Sequence, residues 1–257
     1  MRQVLVFCAA LAIATAAPAL AHDFWIIDCG AQEGAPLTVL LGNGHNFPQG
    51  EEIKADQVSE RYEPLRALGP DGELALKPGP EPRLAVSEKP LAKGTYLLLA
   101  ASKASFSTQS PEGWVRKPKD EVPGAVKCGF GANFAKAVVN VGAAEVNLIK
   151  KPVGQKLEIV PQVNPAGVKV GQNFPVQVLL DGKPLPNTRL GAYFAGFGHE
   201  GDSQAFSALT DKTGLVNIIP LRSGTWLAKV STKEHYADPA KCDTENYSAT
   251  LAFTIAD

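Results

Sequence analysis

The chain is poor in the features that mark several large protein classes. Its 25 basic side chains are balanced by 26 acidic ones, leaving a net charge of −1, so no nucleic-acid footprint is expected. After the first twenty residues no long apolar run returns, which excludes a helical membrane anchor further along the chain. No Gly-Xaa-Ser-Xaa-Gly elbow, phosphate loop or His-Glu-Xaa-Xaa-His motif occurs, leaving the common hydrolase, kinase and zincin readings without support. No stretch sustains a 3.6-residue apolar period long enough for a substantial helix. Histidine is scarce too, with four in 257 residues.

The amino terminus is the most informative segment. Arg2 is followed by an apolar stretch from Val4 to Ala17 and by Ala19-Leu20-Ala21. A charged start, an apolar middle and an Ala-x-Ala end make a secretory signal peptide rather than a membrane span. Leu5-Val6-Phe7-Cys8 falls short of a lipoprotein box, because it lies inside the apolar run and Phe7 is too bulky. Cleavage after Ala21 removes 21 of the 257 residues, leaving a periplasmic chain of 236 that begins at His22. That chain keeps Cys29, Cys128 and Cys242. An oxidising compartment makes one disulfide among them plausible, with no pair preferred by spacing.

Twenty-four glycines, twenty prolines and many short Val/Leu/Ile/Thr runs between turn signals argue for an all-β protein. The first series of strands is expected at His22–Asp28, Leu37–Leu41, Arg61–Leu68, Arg83–Val86, Gly94–Ala101 and Lys136–Val141. The second is expected at Leu157–Pro161, Phe174–Leu180, Arg189–Phe194, Phe206–Thr210, Leu215–Ile219, Gly224–Val230 and Ala249–Ile255. Lys103–Lys127, rich in Ser, Pro, Lys and Glu, reads as a long surface loop. Lys150–Gly154 separates the series. The expectation is therefore two consecutive β-sandwich domains, 22–150 with long loops and 155–257 of immunoglobulin-like or transthyretin-like type.

His22 as the first residue of the processed chain would offer an α-amine and an imidazole in one chelate, a donor pair suited to nickel, copper or zinc. His45 follows the second expected strand in Gly42-Asn43-Gly44-His45-Asn46-Phe47-Pro48. If the first two strands pair antiparallel, the start of one lies beside the end of the other, and His22 meets His45. An amine and two imidazoles favour Ni(II) or Cu(II) over the oxygen-seeking Mg(II) and Ca(II). His45 could instead merely serve its glycine-rich turn.

His235, in Lys233-Glu234-His235-Tyr236-Ala237-Asp238, reaches the same site only if the two domains pack end to end; otherwise it is a loop residue in solvent. His199, flanked by Glu200 and Asp202, reads as a solvated loop residue. Asp23 and Asp238 are candidate oxygen ligands or acceptors for imidazole N–H groups. Trp25 and Trp226 fall in expected strands and read as core. Trp114 lies in a loop, where a sugar-stacking role is open.

Ala21-His22-Asp23-Phe24-Trp25-Ile26 and Gly44-His45-Asn46-Phe47-Pro48 resemble the opening of the DUF4198 family. Asn133-Phe134-Ala135-Lys136-Ala137 and Gly154-Gln155-Lys156-Leu157-Glu158-Ile159-Val160-Pro161 are similar to its middle. Asp181-Gly182-Lys183-Pro184-Leu185, Thr210-Asp211-Lys212-Thr213-Gly214 and Gly224-Thr225-Trp226-Leu227 resemble its carboxyl half. The resemblance implies a periplasmic accessory component of a nickel or cobalt uptake system. The expected cargo is Ni(II) or Co(II), its destination an inner-membrane transporter, and its ligands His22, His45 and His235. The three cysteines lie outside the family pattern. Two other functions compete on the residues alone. One is a copper histidine-brace oxidoreductase, which also uses an amino-terminal His with a second His; the other is an envelope β-sandwich without a metal.

Overall fold

The computed structural model describes residues 22–197 and 203–256. The expected signal peptide, its cleavage site and His199 lie outside the described residues. Strands dominate, in agreement with the all-β expectation. The first half runs β1 (Asp23–Asp28), β2 (Pro36–Gly44), a short helix α1 (Ala55–Arg61), β3 (Arg66–Gly69), β4 (Gly72–Leu74), β5 (Leu76–Pro78), β6 (Leu84–Pro90) and β7 (Gly94–Ala101). A hairpin of β8 (Ser105–Ser110) and β9 (Gly113–Val115) leads into the long β10 (Lys127–Val141). The second half contains β11 (Leu157–Pro161), β12 (Phe174–Leu180), β13 (Lys183–Pro184), β14 (Arg189–Phe194), β15 (Phe206–Leu209), β16 (Leu215–Ile218), β17 (Gly224–His235) and β18 (Thr244–Ile255).

Two differences from the sequence reading have clear causes. The polar 103–127 segment is not a free loop: Ser105–Ser110 pairs with the amino-terminal part of β10, so backbone ladder bonds compensate for its lack of apolar residues. The strand expected at Arg61–Leu68 is the end of α1 followed by β3, with Pro64 between them breaking the run.

The strands form three sheets. A central ten-stranded sheet runs β15-β14-β17-β18-β10-β7-β3-β4, with β8 and β9 added at β10. Its keystone is a parallel pairing of β10 with β18, Gly129 opposite Thr244 through Ala137 opposite Ala252, which joins the two halves of the chain. One face of the central sheet is covered by β11, β12, β13 and β16, the other by β1, β2, β6 and β5. Alternate residues of the same strands therefore feed two cores. Leu97, Leu99, Trp226, Leu251 and Phe253 point into one; Leu98, Ala135, Ala137, Leu227 and Ala252 point into the other. The two sandwiches share their middle layer.

In the first core Lys136 is buried and its ammonium donates to Glu158, whose carboxylate also accepts from the N–H groups of Val153 and Gly154. Desolvation outweighs the partner's charge and pulls the lysine down to about 8. Cys128 and Cys242 form the disulfide, tying the start of β10 to the turn before β18. Cys29 is a free, exposed thiol.

Candidate metal centre

β1 pairs antiparallel with β2, Asp23 opposite Gly44 and Trp25 opposite Gly42. The register leaves His22 just before the first paired residue of β1 and His45 just after the last of β2. Their rings meet edge to face with centroids 4.4 Å apart. The chain then turns back on itself. The Phe47–Pro48 peptide is cis, the N–H of Gln49 donates to Asn46 O at 2.7 Å, and the N–H of Glu51 donates to Asn43 O at 2.7 Å. That reversal carries Glu51 to the histidines, its Oε1 lying 3.5 Å from His22 Nε2. One donor atom from each of His22, His45 and Glu51 falls within 4.8 Å of the others.

The site is built on a rigid base. Phe24, Trp25 and Ile26 of β1 are buried against the central sheet, and Phe47 packs edge to face on Trp25 and Tyr193. Gly42 must lack a side chain, because a Cβ there would lie 1.9 Å from the Trp25 indole nitrogen. Asp23 anchors the strand: Tyr193 donates its phenolic O–H to Asp23 Oδ2 at 2.6 Å, and the Lys229 ammonium is 3.3 Å from the same carboxylate. Burial, first, and the neighbouring carboxylate raise the Tyr193 pKa far above the usual phenol range, so it stays a donor. Asp23 is thus a structural anchor.

Both ring nitrogens of His22 have a polar neighbour. Asn43 Nδ2 lies 3.3 Å from His22 Nδ1; in the tautomer whose Nδ1 accepts there, the ring proton sits on Nε2, facing Glu51. Nδ1 is also the nitrogen that, with a free α-amine on the same residue, closes a six-membered chelate around a metal ion. The side chains alone present one nitrogen each from His22 and His45 with the Glu51 carboxylate; a free α-amine at His22 would add a second nitrogen there. All three side chains remain at least partly accessible, which leaves a path for an ion to enter.

His235 does not join this group. Lys229 lies at the level of Asp23, and His235 is six residues further along β17, roughly 20 Å at the rise of a strand. It sits opposite Thr244 at the far end of the sheet, exposed. The two halves share a sheet rather than packing end to end, which keeps the residues apart. Asp238 accepts the N–H of Ala240 in a surface turn. Glu51 escaped the sequence reading. Its one signal was the chain reversal of Phe47-Pro48-Gln49-Gly50 ahead of an acidic pair.

A family model described as "Domain of unknown function (DUF4198)" matches residues 19–234. A search of curated proteins finds no match. Among solved structures, the D0-D1 domain of Intimin is 14% identical, with 90% of this chain and 97% of that chain covered, at a TM-score of 0.23. The D00-D0 domain of Intimin is 10% identical, covering 91% of this chain and 100% of that one, at a TM-score of 0.22. Likeness at that level carries no argument about function.

Proposed function

The chain belongs to the DUF4198 family, and we propose that it is a periplasmic binding protein for a transition-metal ion, nickel or cobalt, which it passes to an inner-membrane uptake transporter. The observation that carries this reading is the convergence of His22, His45 and Glu51 at one end of the β1–β2 hairpin. Imidazole nitrogens with a carboxylate form a borderline donor set suited to Ni(II) and Co(II). Signal-peptide cleavage would add the α-amine as a further nitrogen. Exposure of the cluster fits a cargo that must be released. Among the described residues no helix is long and apolar enough to cross a membrane.

Calorimetric titration of nickel into the processed chain tests the reading. Acetylation of the α-amine, His22→Ala and His45→Ala should each weaken binding by tenfold or more, about 1.4 kcal/mol. Glu51→Gln should weaken it less, because the glutamine keeps an acceptor. Affinity should fall as the pH is lowered, since amine and imidazole must shed protons to bind. An added amino-terminal methionine would cap the amine and must be avoided. Copper retained in preference to nickel, with peroxide-dependent oxidation of a substrate, would replace this reading with the oxidoreductase. Absence of any binding would leave an envelope sandwich protein.

A further inference from the structure

Beyond the start of β1 the covered face of the central sheet continues, uncovered. The residues that point outward there are small and polar: Gly129, Gly131 and Asn133 of β10, with Thr244 and Asn246 of β18 beside them. β8 extends the row, Ser107 opposite Gly129 and Ser105 opposite Gly131. The two glycines keep the floor at backbone level. A Cβ on Gly131 would lie 1.6 Å from the Asn246 carbonyl oxygen, and one on Gly129 would lie 2.8 Å from the Asn246 amide nitrogen. The resulting cavity has a volume of about 710 Å³.

Its rim is basic. Arg61, Lys103, Arg116, Lys127 and Lys233 line it, and among the described residues none of the five makes an ion pair. The one acidic side chain in the lining, Asp243, is already engaged by the Lys119 ammonium and the N–H of Cys128, which hold its pKa below the usual carboxylate range. Arg61 Nε itself is buried without a hydrogen-bond partner among the described residues. Trp114, at 56% exposure the most open tryptophan, stands on β9 at the wall, with the Lys127 ammonium 5.2 Å from the ring centroid.

We propose that this cavity binds an acidic saccharide. Guanidinium and ammonium groups on the rim would pair with its carboxylates or phosphates. The serine and asparagine side chains of the floor offer both donors and acceptors for sugar hydroxyls. The Trp114 ring supplies a flat apolar face for a pyranose. A neutral apolar ligand would use none of the five cations, and a simple inorganic anion would use neither the tryptophan nor the polar floor. The site is separate from the His22 cluster, although Asn133, Lys233 and Asn246 also line a second cavity that reaches His22.

The test is calorimetric titration of the processed chain, in metal-free buffer, with tetragalacturonate, glucose 6-phosphate, maltotetraose and inorganic phosphate. At least one acidic sugar should bind about tenfold more tightly than maltotetraose and than inorganic phosphate. Preference between the uronate and the sugar phosphate identifies the anionic group recognised. Trp114→Ala and Arg116→Gln, both at exposed side chains, should each weaken that binding about fivefold or more. His22→Ala should leave it unchanged, so a failure of the metal reading does not touch this one. The proposal is overturned if no acidic sugar binds, if maltotetraose or inorganic phosphate binds as tightly, if Trp114→Ala has no effect, or if His22→Ala abolishes binding.

Discussion

The two faces of the central sheet are made by the same strands and have different fates. The face under β11, β12 and β16 is closed, and even its charged residues, Lys136 and Glu158, are buried and paired. The opposite face is closed only as far as β1 reaches, where Thr250 donates its hydroxyl to Phe24 O at 2.6 Å. Past that point β10 and β18 switch from Ala135, Ala137 and Ala252 to Gly129, Gly131 and Asn246, and the surface opens into cavities. A single period-2 alternation thus writes a core on one side and an open, cavity-lined surface on the other. His22 stands at the boundary between the covered and open parts.

The sharpest way to break the closed face is Lys136→Met. It strands the buried Glu158 carboxylate and should cost about 3–5 kcal/mol in denaturant unfolding. Glu158 also holds the backbone of Val153 and Gly154, so the connection between the two halves should gain hydrogen-exchange rate in the same variant. On the other face, Gly42→Ala drives a methyl group into Trp25 and should cost about 1–3 kcal/mol. Because Gly42 lies on β2 three residues before His45, on the proposed site this variant should also weaken nickel binding, and the same calorimetric titration checks it. Thr250→Val leaves the buried Phe24 carbonyl without its donor and should cost about 1–2 kcal/mol, loosening the hairpin from the sheet. At the open end, Ser107→Ala should change stability by less than about 0.5 kcal/mol, since its side chain is exposed. A cost above 1 kcal/mol there would mean that the open face is packed after all.

Much of this was legible beforehand. Phe174–Val178 alternates and Asp181-Gly182 follows as a turn, and the strand ends where the turn begins. Trp25 and Trp226 sit in runs of apolar residues and are fully buried. His22 and His45 could be placed together because a hairpin pairs near neighbours in sequence, and local pairing needs no knowledge of the rest of the fold. The hairpin of β8 and β9 was hidden because serine and threonine strands carry no apolar period; they exist by pairing with β10. Glu51 was hidden because a turn conformation, rather than a pattern, delivers it. The cationic cavity was hidden because its walls come from α1, β8, β9, β10, β17 and β18, which span most of the chain.

By itself, then, the sequence determined most of the apolar strands, which side chains seek the interior and that His22 and His45 come together. These depend on short-range periodicity and on the chemistry of single side chains. Only the tertiary structure decided that β10 and β18 lie side by side and that one sheet serves two cores. Only it decided that His235 is far from His22 while Glu51 is near. Those outcomes follow from long-range pairing, in which many registers satisfy the same alternation and burial of both faces selects one.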